Sequence, residues 1–365
     1  MASVDWHLIQ TIARLRYESL PQHFFTAQTP PSSNAFPGRI VSREGPLSLV
    51  VTPAGELSTR PSGRLTYQID LGSVPPPTVG DYVELDGADG RIDRVLPRAT
   101  RMTRKEAGER SVAQTLASNI DMALFVTTVP EERDYSIRRL ERFLATLAGE
   151  IPAIVVLNKL DLSAEPEAVV GATRAQLPGT CVIAVSATEG TGLLQLMELM
   201  PTEATIAIAG SSGTGKSTLT GRLAEEEIAV GGVRENDTRG RHTTTTRKSY
   251  RLPGNRLLID MPGVREVQLW TEGAPNQQLE QPFPEIAALA AACRFTDCSH
   301  RSEPGCAVRE AVQQEQIPHN RYLSYLELRR ELDSGSDRSE KRERLNERRR
   351  ARKSRMARHS RGGGV

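Results

Sequence analysis

The chain has 365 residues, with 47 Lys/Arg against 45 Asp/Glu, a net charge of +2 and 38% apolar residues. That length exceeds one small domain and suits two or three, and no stretch approaches the roughly 18 apolar residues of a membrane helix. The opening MASVDWHLIQ lacks the basic-then-apolar layout of a secretory signal, so a cytoplasmic protein with no membrane partner is expected.

Residues 1–35 form an expected N-terminal arm, with an amphipathic stretch from Trp6 to Tyr17 and then a Pro/Ser-rich linker, TPPSSN. Residues 36–99 read as all-β. GRIVSRE, LSLVVTP, LTYQIDL, DYVELD and GRIDRVL are short alternating runs separated by Gly, Pro and Asp. Five such strands suit a small closed barrel of the OB type. Seven Arg against eight Asp/Glu and few aromatics give this barrel no strong nucleic-acid signature, so docking or packing is an equal reading.

Residues 100–288 alternate strand-length apolar runs with amphipathic ones. MALFVTTV, AIVVLNK, CVIAVSA, TIAIAG and RLLIDMPG are the expected strands, and Cys181 in the third is expected in the core. Ile137, Leu140, Leu144 and Leu147 recur at helical spacing. The pattern predicts a parallel sheet with helices on both faces and ligands at the carboxyl ends of the strands.

The strand AIVVL ends in Asn158-Lys159-Leu160-Asp161. The Asp161 carboxylate can accept from guanine N1–H and the 2-amino group, donors that adenine does not present together. Asn158 braces the loop, and the Lys159 stem can lie along the ring. A buried polar set of this kind rejects the wrong base strongly. Ser186-Ala187-Thr188 ends the next strand, where a backbone N–H can meet guanine O6.

TIAIAGSSGTGKST then supplies a phosphate cradle fitting G-x-x-x-x-G-K-[ST] at Gly210, Gly215, Lys216 and Ser217. Ser211, Ser212, Gly213 and Thr214 complete the loop, and Thr218 follows in the helix. Backbone N–H groups close on phosphate oxygens, Lys216 reaches the β- and γ-phosphates, and Ser217 ligates Mg²⁺.

Asp260-Met261-Pro262-Gly263 ends the last strand. Asp260 is the outer Mg²⁺ partner, and the Gly263 N–H can approach the γ-phosphate. The next residue is Val264, which cannot orient water as a glutamine would. Between cradle and DMPG lies a polar segment, Arg239 to Thr246. His242 is its candidate water-positioning group, and Thr243 or Thr244 its candidate Mg²⁺ ligand. The base-reading motif therefore precedes the phosphate loop, the reverse of an ordinary GTPase, which marks a circular permutation.

Residues 289–333 carry Cys293-x4-Cys298-x-His300-x5-Cys306 and a helical stretch, NRYLSYLELRREL. Three thiolates and an imidazole make a closed tetrahedral set suited to structural Zn²⁺, with no position left for water. Residues 334–365 form a basic tail. From Arg338 to Arg361 there are twelve Lys/Arg and three Glu, a net of +9, which leaves −7 on the rest of the chain. Such a segment cannot bury enough apolar surface to order itself and suits an anionic polymer.

The barrel, NKLD, SAT, GSSGTGKST, GRHTTTT, DMPG and CRFTDCSHRSEPGCAV, in that order, resemble the ribosome small-subunit-dependent GTPase A family (RsgA, also called YjeQ). The likeness covers residues 36–330 and includes SGRL at 62–65, VGDYVEL at 79–85, VLPR at 95–98 and RRLERFL at 138–144. It implies an OB-fold, a circularly permuted P-loop GTPase domain and a C-terminal, helix-rich zinc domain. It also implies GTP and GDP as ligands, with hydrolysis stimulated by the small (30S) ribosomal subunit, whose late maturation it assists through its rRNA.

By the same resemblance, His242 falls on the switch histidine proposed for catalysis, and Cys293, Cys298, His300 and Cys306 fall on the zinc ligands. Met261 departs from the family's usual threonine. Gly213 stands where potassium-dependent relatives keep asparagine. The protein is expected to act as a monomer. The competing expectation is a nucleotide-gated rRNA-binding module in which hydrolysis is incidental.

Overall fold

The computed structural model describes residues 35–52, 54–105, 113–130, 132, 134–147, 150–224, 226–228, 249–261 and 275–333. Residues 1–34 of the expected arm and the basic tail at 334–365 lie outside the described residues. The chain divides into two compact units. One is drawn from Met1–Thr103, Thr115–Phe143 and Glu150–Glu266, and the other from Arg104–Gln114, Leu144–Gly149 and Val267–Val365. No helix among the described residues is long and apolar enough to cross a membrane.

The first unit opens with an antiparallel sheet of β1 (Phe36–Glu44), β2 (Leu47–Thr52), β3 (Gly55–Thr59), β4 (Tyr82–Leu85) and β5 (Ile92–Val95). Their order is β3-β2-β1-β4-β5. The two edges meet where Pro61 bridges Ile92 in parallel. Two backbone bonds hold that bridge, Ser62 N–H to the Ile92 carbonyl at 2.8 Å and Ile92 N–H to the Arg60 carbonyl at 3.1 Å. Ile40, Val50, Leu65, Val83, Leu85 and Ile92 fill the interior.

One expectation changes here. LTYQIDL is helical, within α1 (Gly63–Asp70), rather than a strand. The Ser62 hydroxyl accepts the Leu65 N–H and caps the helix. Leu65 and Ile69, four apart, turn one face to the core of this sheet, while Tyr67 is 65% exposed. Apolar residues at alternate positions thus served a helical face, and GELST supplies the fifth strand instead.

The second sheet has seven strands, ordered β10-β9-β8-β11-β14-β13-β12. They are β8 (Met122–Thr128), β9 (Ala153–Asn158), β10 (Cys181–Ala184), β11 (Thr205–Gly210), β12 (Glu226–Ile228), β13 (Ser249–Leu252) and β14 (Arg256–Asp260). The five from β10 to β14 in that order are parallel, and β13 and β12 add an antiparallel edge. Phe125, Val126, Val155, Val156, Ile206 and Ile208 are fully buried, as continuous apolar strands covered on both faces must be. Cys181 corrects a further expectation, being exposed rather than buried. It starts the edge strand β10, whose next residue, Val182, takes the buried side.

Helices α2 (Ile137–Thr146), α3 (Pro166–Gln176), α4 (Leu193–Leu199) and α5 (Lys216–Leu223) follow β8, β9, β10 and β11. Leu196 of α4 and Leu219 and Leu223 of α5 pack on Leu124, Ile154 and Ile206. On α2 the ring of Phe143 lies 4.6 Å from that of Phe125. A short ribbon of β6 (Arg101–Lys105) and β7 (Ala113–Ser118) lies between the two sheets in sequence.

Polar groups tie the N-terminal sheet to the ribbon strand β7 and to the second sheet. Asp81, wholly buried, accepts from Arg98 Nε at 2.7 Å, Arg98 Nη2 at 2.8 Å, Ser118 Oγ at 2.5 Å and Thr78 N–H at 2.7 Å. Arg39 Nη2 donates to Thr205 Oγ1 at 2.6 Å, at the start of β11. The Ser249 hydroxyl donates to the Val41 carbonyl. A Cβ on Gly80 (φ +93°) would lie 2.0 Å from the Ser118 carbonyl oxygen, so this close approach requires glycine.

The second unit is helical: α6 (Pro275–Glu280), α7 (Pro284–Ala290), α8 (Ala307–Gln313) and α9 (residues 319–333). Phe283, Ile286, Val308, Ile317 and Leu328 form its core, with Tyr325 edge-on to Phe283 at 5.5 Å.

Candidate nucleotide site and metal centre

The sheet gathers the motifs at its carboxyl end. β11 delivers Gly210 into the loop 211–215, and α5 begins at Lys216. Gly213 and Gly215 have φ of +90° and +78°, a left-handed backbone that glycine adopts without steric cost. A Cβ on Gly215 would lie 2.3 Å from Asn158 Nδ2, and one on Gly210 2.5 Å from the Val126 carbonyl oxygen. Thr214 is buried, its hydroxyl donating to the Ser211 carbonyl at 2.8 Å. Ser212, Gly213, Ser217 and Thr218 are exposed along the rim.

β14 lies beside β11, with Asp260 in register with Ile208. This brings the Asp260 carboxylate onto the Lys216 ammonium. The two groups expected at the phosphates and at the outer shell of a divalent cation are therefore neighbours. Gly263, His242, Thr243 and Thr244 lie outside the described residues.

On the other side of β11, β8 and β9 bring up the base-reading motif. Asn158, 2% exposed, is the hinge of the arrangement. Its Nδ2 donates to the Thr214 carbonyl at 2.9 Å, and its Oδ1 accepts the Ala187 N–H at 3.0 Å. One side chain thus spans phosphate loop and base loop. Lys159 takes a left-handed conformation (φ +64°), and its ammonium lies 3.3 Å from Glu132 Oε2. Ser186 Oγ donates to Asp161 Oδ1 at 2.6 Å, which orients the exposed carboxylate.

In the second unit, Cys293 follows α7, Cys298 and His300 lie in the turn beyond it, and Cys306 caps α8. Their ligand atoms all lie within 4.8 Å of one another. His300 Nδ1 is 3.5 Å from Cys293 Sγ and 3.4 Å from Cys306 Sγ, and those sulfurs are 3.9 Å apart. A tetrahedral ion with Zn–S of about 2.3 Å and Zn–N of about 2.0–2.1 Å needs S···S of about 3.8 Å and S···N of about 3.6 Å. The donor set fits. Burial pushes the Cys298 thiol up to about 11, so an ion here displaces a tightly held proton.

The knuckle is braced from outside. The Glu303 carboxylate accepts from the Ser299 hydroxyl and from the N–H groups of Ser299 (2.8 Å), Arg301 (3.0 Å) and Ser302 (3.0 Å). Those bonds, the Ser299 hydroxyl first, hold the carboxyl well below the usual range. From α9, Tyr322 Oη donates to the His300 carbonyl at 2.6 Å and Arg329 Nη1 to the Cys298 carbonyl at 3.2 Å. Such outer partners fix ligand orientation.

An RsgA GTPase family model matches residues 95–270. The small ribosomal subunit biogenesis GTPase RsgA of Opitutus terrae is 38% identical over 314 residues, covering 82% of this chain and 84% of that one. Its namesake in Methanosarcina acetivorans is 39% identical over 310 residues, covering 83% and 81%. The chain belongs to the RsgA GTPase family.

Among solved structures, YjeQ from Thermotoga maritima superposes with a TM-score of 0.61 at 25% identity, covering 82% of this RsgA-family chain and 98% of that one. YloQ, described as a circularly permuted GTPase, shares the fold with a TM-score of 0.59 at 22% identity, covering 86% and 99%. The permutation is visible in this RsgA-family sheet. β8, β9 and β10 precede β11 in the chain yet flank it on one side, with β14 on the other.

Two supports of the site escaped the sequence reading. Arg139 Nη1 on α2 donates to Ser211 Oγ at 2.7 Å. Arg222 on α5 donates from Nε to the Ala187 carbonyl at 3.0 Å and from Nη2 to the Thr188 carbonyl. Arg139 lies in the RRLERFL stretch of the resemblance and Arg222 in α5, and neither belongs to a nucleotide motif.

Proposed function

We propose that the chain is a Mg²⁺-dependent GTPase that binds the small ribosomal subunit through its rRNA and assists its late maturation, with turnover stimulated by the subunit. The observation that carries this is Asn158, which ties the guanine-reading loop to the phosphate loop. A site so connected is built for a guanine nucleotide rather than a bare phosphate. The relatives' names, small ribosomal subunit biogenesis GTPase, support the partner.

In this reading Asp161 selects guanine and the 186–188 loop meets O6. Gly210 to Thr218 cradle the phosphates, and Lys216 leaves Asp260 for the β- and γ-phosphates. Ser217 and Thr243 or Thr244 ligate Mg²⁺, with Asp260 behind them. The ion neutralises charge on the phosphates. Gly263 approaches the γ-phosphate, and His242 positions water when contact with the subunit completes that geometry. Cys293, Cys298, His300 and Cys306 hold a structural Zn²⁺.

The domains are then an arm (1–35), an OB-fold (36–99), the GTPase domain (100–288), the zinc domain (289–333) and the basic tail (334–365). The parallel bridge between Pro61 and Ile92, and α1 between β3 and β4, support the OB reading. The tail, net +9 from Arg338 to Arg361, suits rRNA phosphates. The protein works as a cytoplasmic monomer.

The test is GTP turnover with purified small subunits, large subunits or neither. Stimulation of at least about tenfold by small subunits alone is expected, since completing such a site is worth up to about 10⁵. His242→Ala should remove most of it. Equal rates in all three conditions would sink the proposal. Val264 favours a second reading, a nucleotide-gated rRNA-binding module. Normal subunit binding and maturation by Lys216→Ala would support that one.

A further inference from the structure

The phosphate loop and the base-reading loop are joined at two points. One is Asn158, between the Thr214 carbonyl and the Ala187 N–H. The other is Arg222, six residues beyond Lys216 on the same helix. Its Nε donates to the Ala187 carbonyl at 3.0 Å, and Nη2 donates to the Thr188 carbonyl. A forked guanidinium on two successive carbonyls fixes the planes of the peptides that carry them. It therefore fixes the N–H of the residue after each.

Those planes matter chemically. Ser186-Ala187-Thr188 is the stretch whose backbone N–H meets guanine O6 in the proposed function. The Ala187 N–H is already given to Asn158 Oδ1, whereas the Thr188 N–H has no partner among the described residues. The Ala187–Thr188 peptide carries both that N–H and the Ala187 carbonyl held by Arg222 Nε.

We infer that Arg222 is a positioning residue for guanine recognition, holding the Ala187–Thr188 peptide so that its N–H faces the 6-oxo group. The inference rests on the guanine reading above. Through α5 it makes base site and phosphate site one rigid body. Lys216 sits at one end of the helix and Arg222 in its last turn, where a cation is favoured by the helix dipole. Arg222 is exposed, so its removal leaves no buried charge behind.

The experiment measures Kd for GDP, 6-thio-GDP and IDP on the full chain, as wild type, Arg222→Ala and Arg222→Lys, with thermal melting alongside. 6-Thio-GDP keeps N1–H and the 2-amino group and changes only the O6 acceptor. IDP lacks only the 2-amino group and reads Asp161. Arg222→Ala should weaken GDP by about tenfold, the scale of one charge-assisted hydrogen bond. It should also bring the GDP to 6-thio-GDP ratio toward one, with the GDP to IDP ratio unchanged. Arg222→Lys should recover part of both effects.

An unchanged GDP affinity would overturn the assignment. So would an equal loss for all three nucleotides, or a loss tracking a lowered melting temperature, since either marks support of the fold alone. If wild type does not prefer GDP to IDP, the guanine reading itself fails, and the assignment with it.

Discussion

In the proposed function, base selectivity rests on individual side chains. Asp161 offers only acceptors, and Ser186 holds one of its oxygens at 2.6 Å. Replacing it by Asn substitutes a donor where guanine also presents donors. Asp161→Asn should raise the GDP Kd by about 10²-fold or more, and should favour xanthosine diphosphate, whose 2-oxo group accepts. Calorimetric titration of both nucleotides reads the exchange. Asp81 poses the complementary case, a carboxylate with no exposure, neutralised by Arg98. Arg98→Ala leaves that charge buried and should destabilise the barrel by about 3–5 kcal/mol. Faster hydrogen exchange of amides in β1, β2 and β4 reports it. The role proposed for Asp161 was legible because four adjacent residues point to it. The Asp81 network was not, because its partners come from three separate segments.

Elements were legible where one physical pattern dominated. The apolar runs that became β8, β9, β11 and β14 are too continuous for a half-exposed strand, and each ends in a polar motif. LTYQIDL lacked that clarity. Leu65, Tyr67 and Ile69 alternate as a strand would, yet the Ser62 cap turns the segment into a helix whose Leu65 and Ile69 share a face. In the metal module, α7 and α8 are only seven residues each, too short to persist alone. Four ligands and the Glu303 brace hold the loop between them. With Zn²⁺ held there as proposed, a strong chelator should therefore strip protection from amides in 284–313, while those in β8, β9 and β11 keep theirs. Hydrogen exchange by mass spectrometry distinguishes the two sets, and added Zn²⁺ should restore the first.

At the scale of the whole chain, the order of motifs announced a permutation, and the sheet realises it with β11 at its centre. The base-reading strands are laid down before the phosphate strand and then close beside it. The subunit-stimulated turnover expected of the chain belongs to this scale, because it requires segments outside the nucleotide cradle.

Guanine over adenine, a phosphate cradle and a Cys₃His donor set were all expectations that the residues alone could carry. Each depends on a few atoms supplied by one contiguous stretch, so spacing alone identifies it. What holds those stretches together became visible only in three dimensions. Ser118 reaches Asp81 across 37 positions, Arg222 reaches Ala187 across 35, and Arg139 reaches Ser211 across 72. No periodicity links residues so far apart. The two arginines meet their partners because a parallel sheet brings the carboxyl ends of distant strands to one edge, whereas Ser118 meets Asp81 where the ribbon strand β7 lies against the N-terminal sheet.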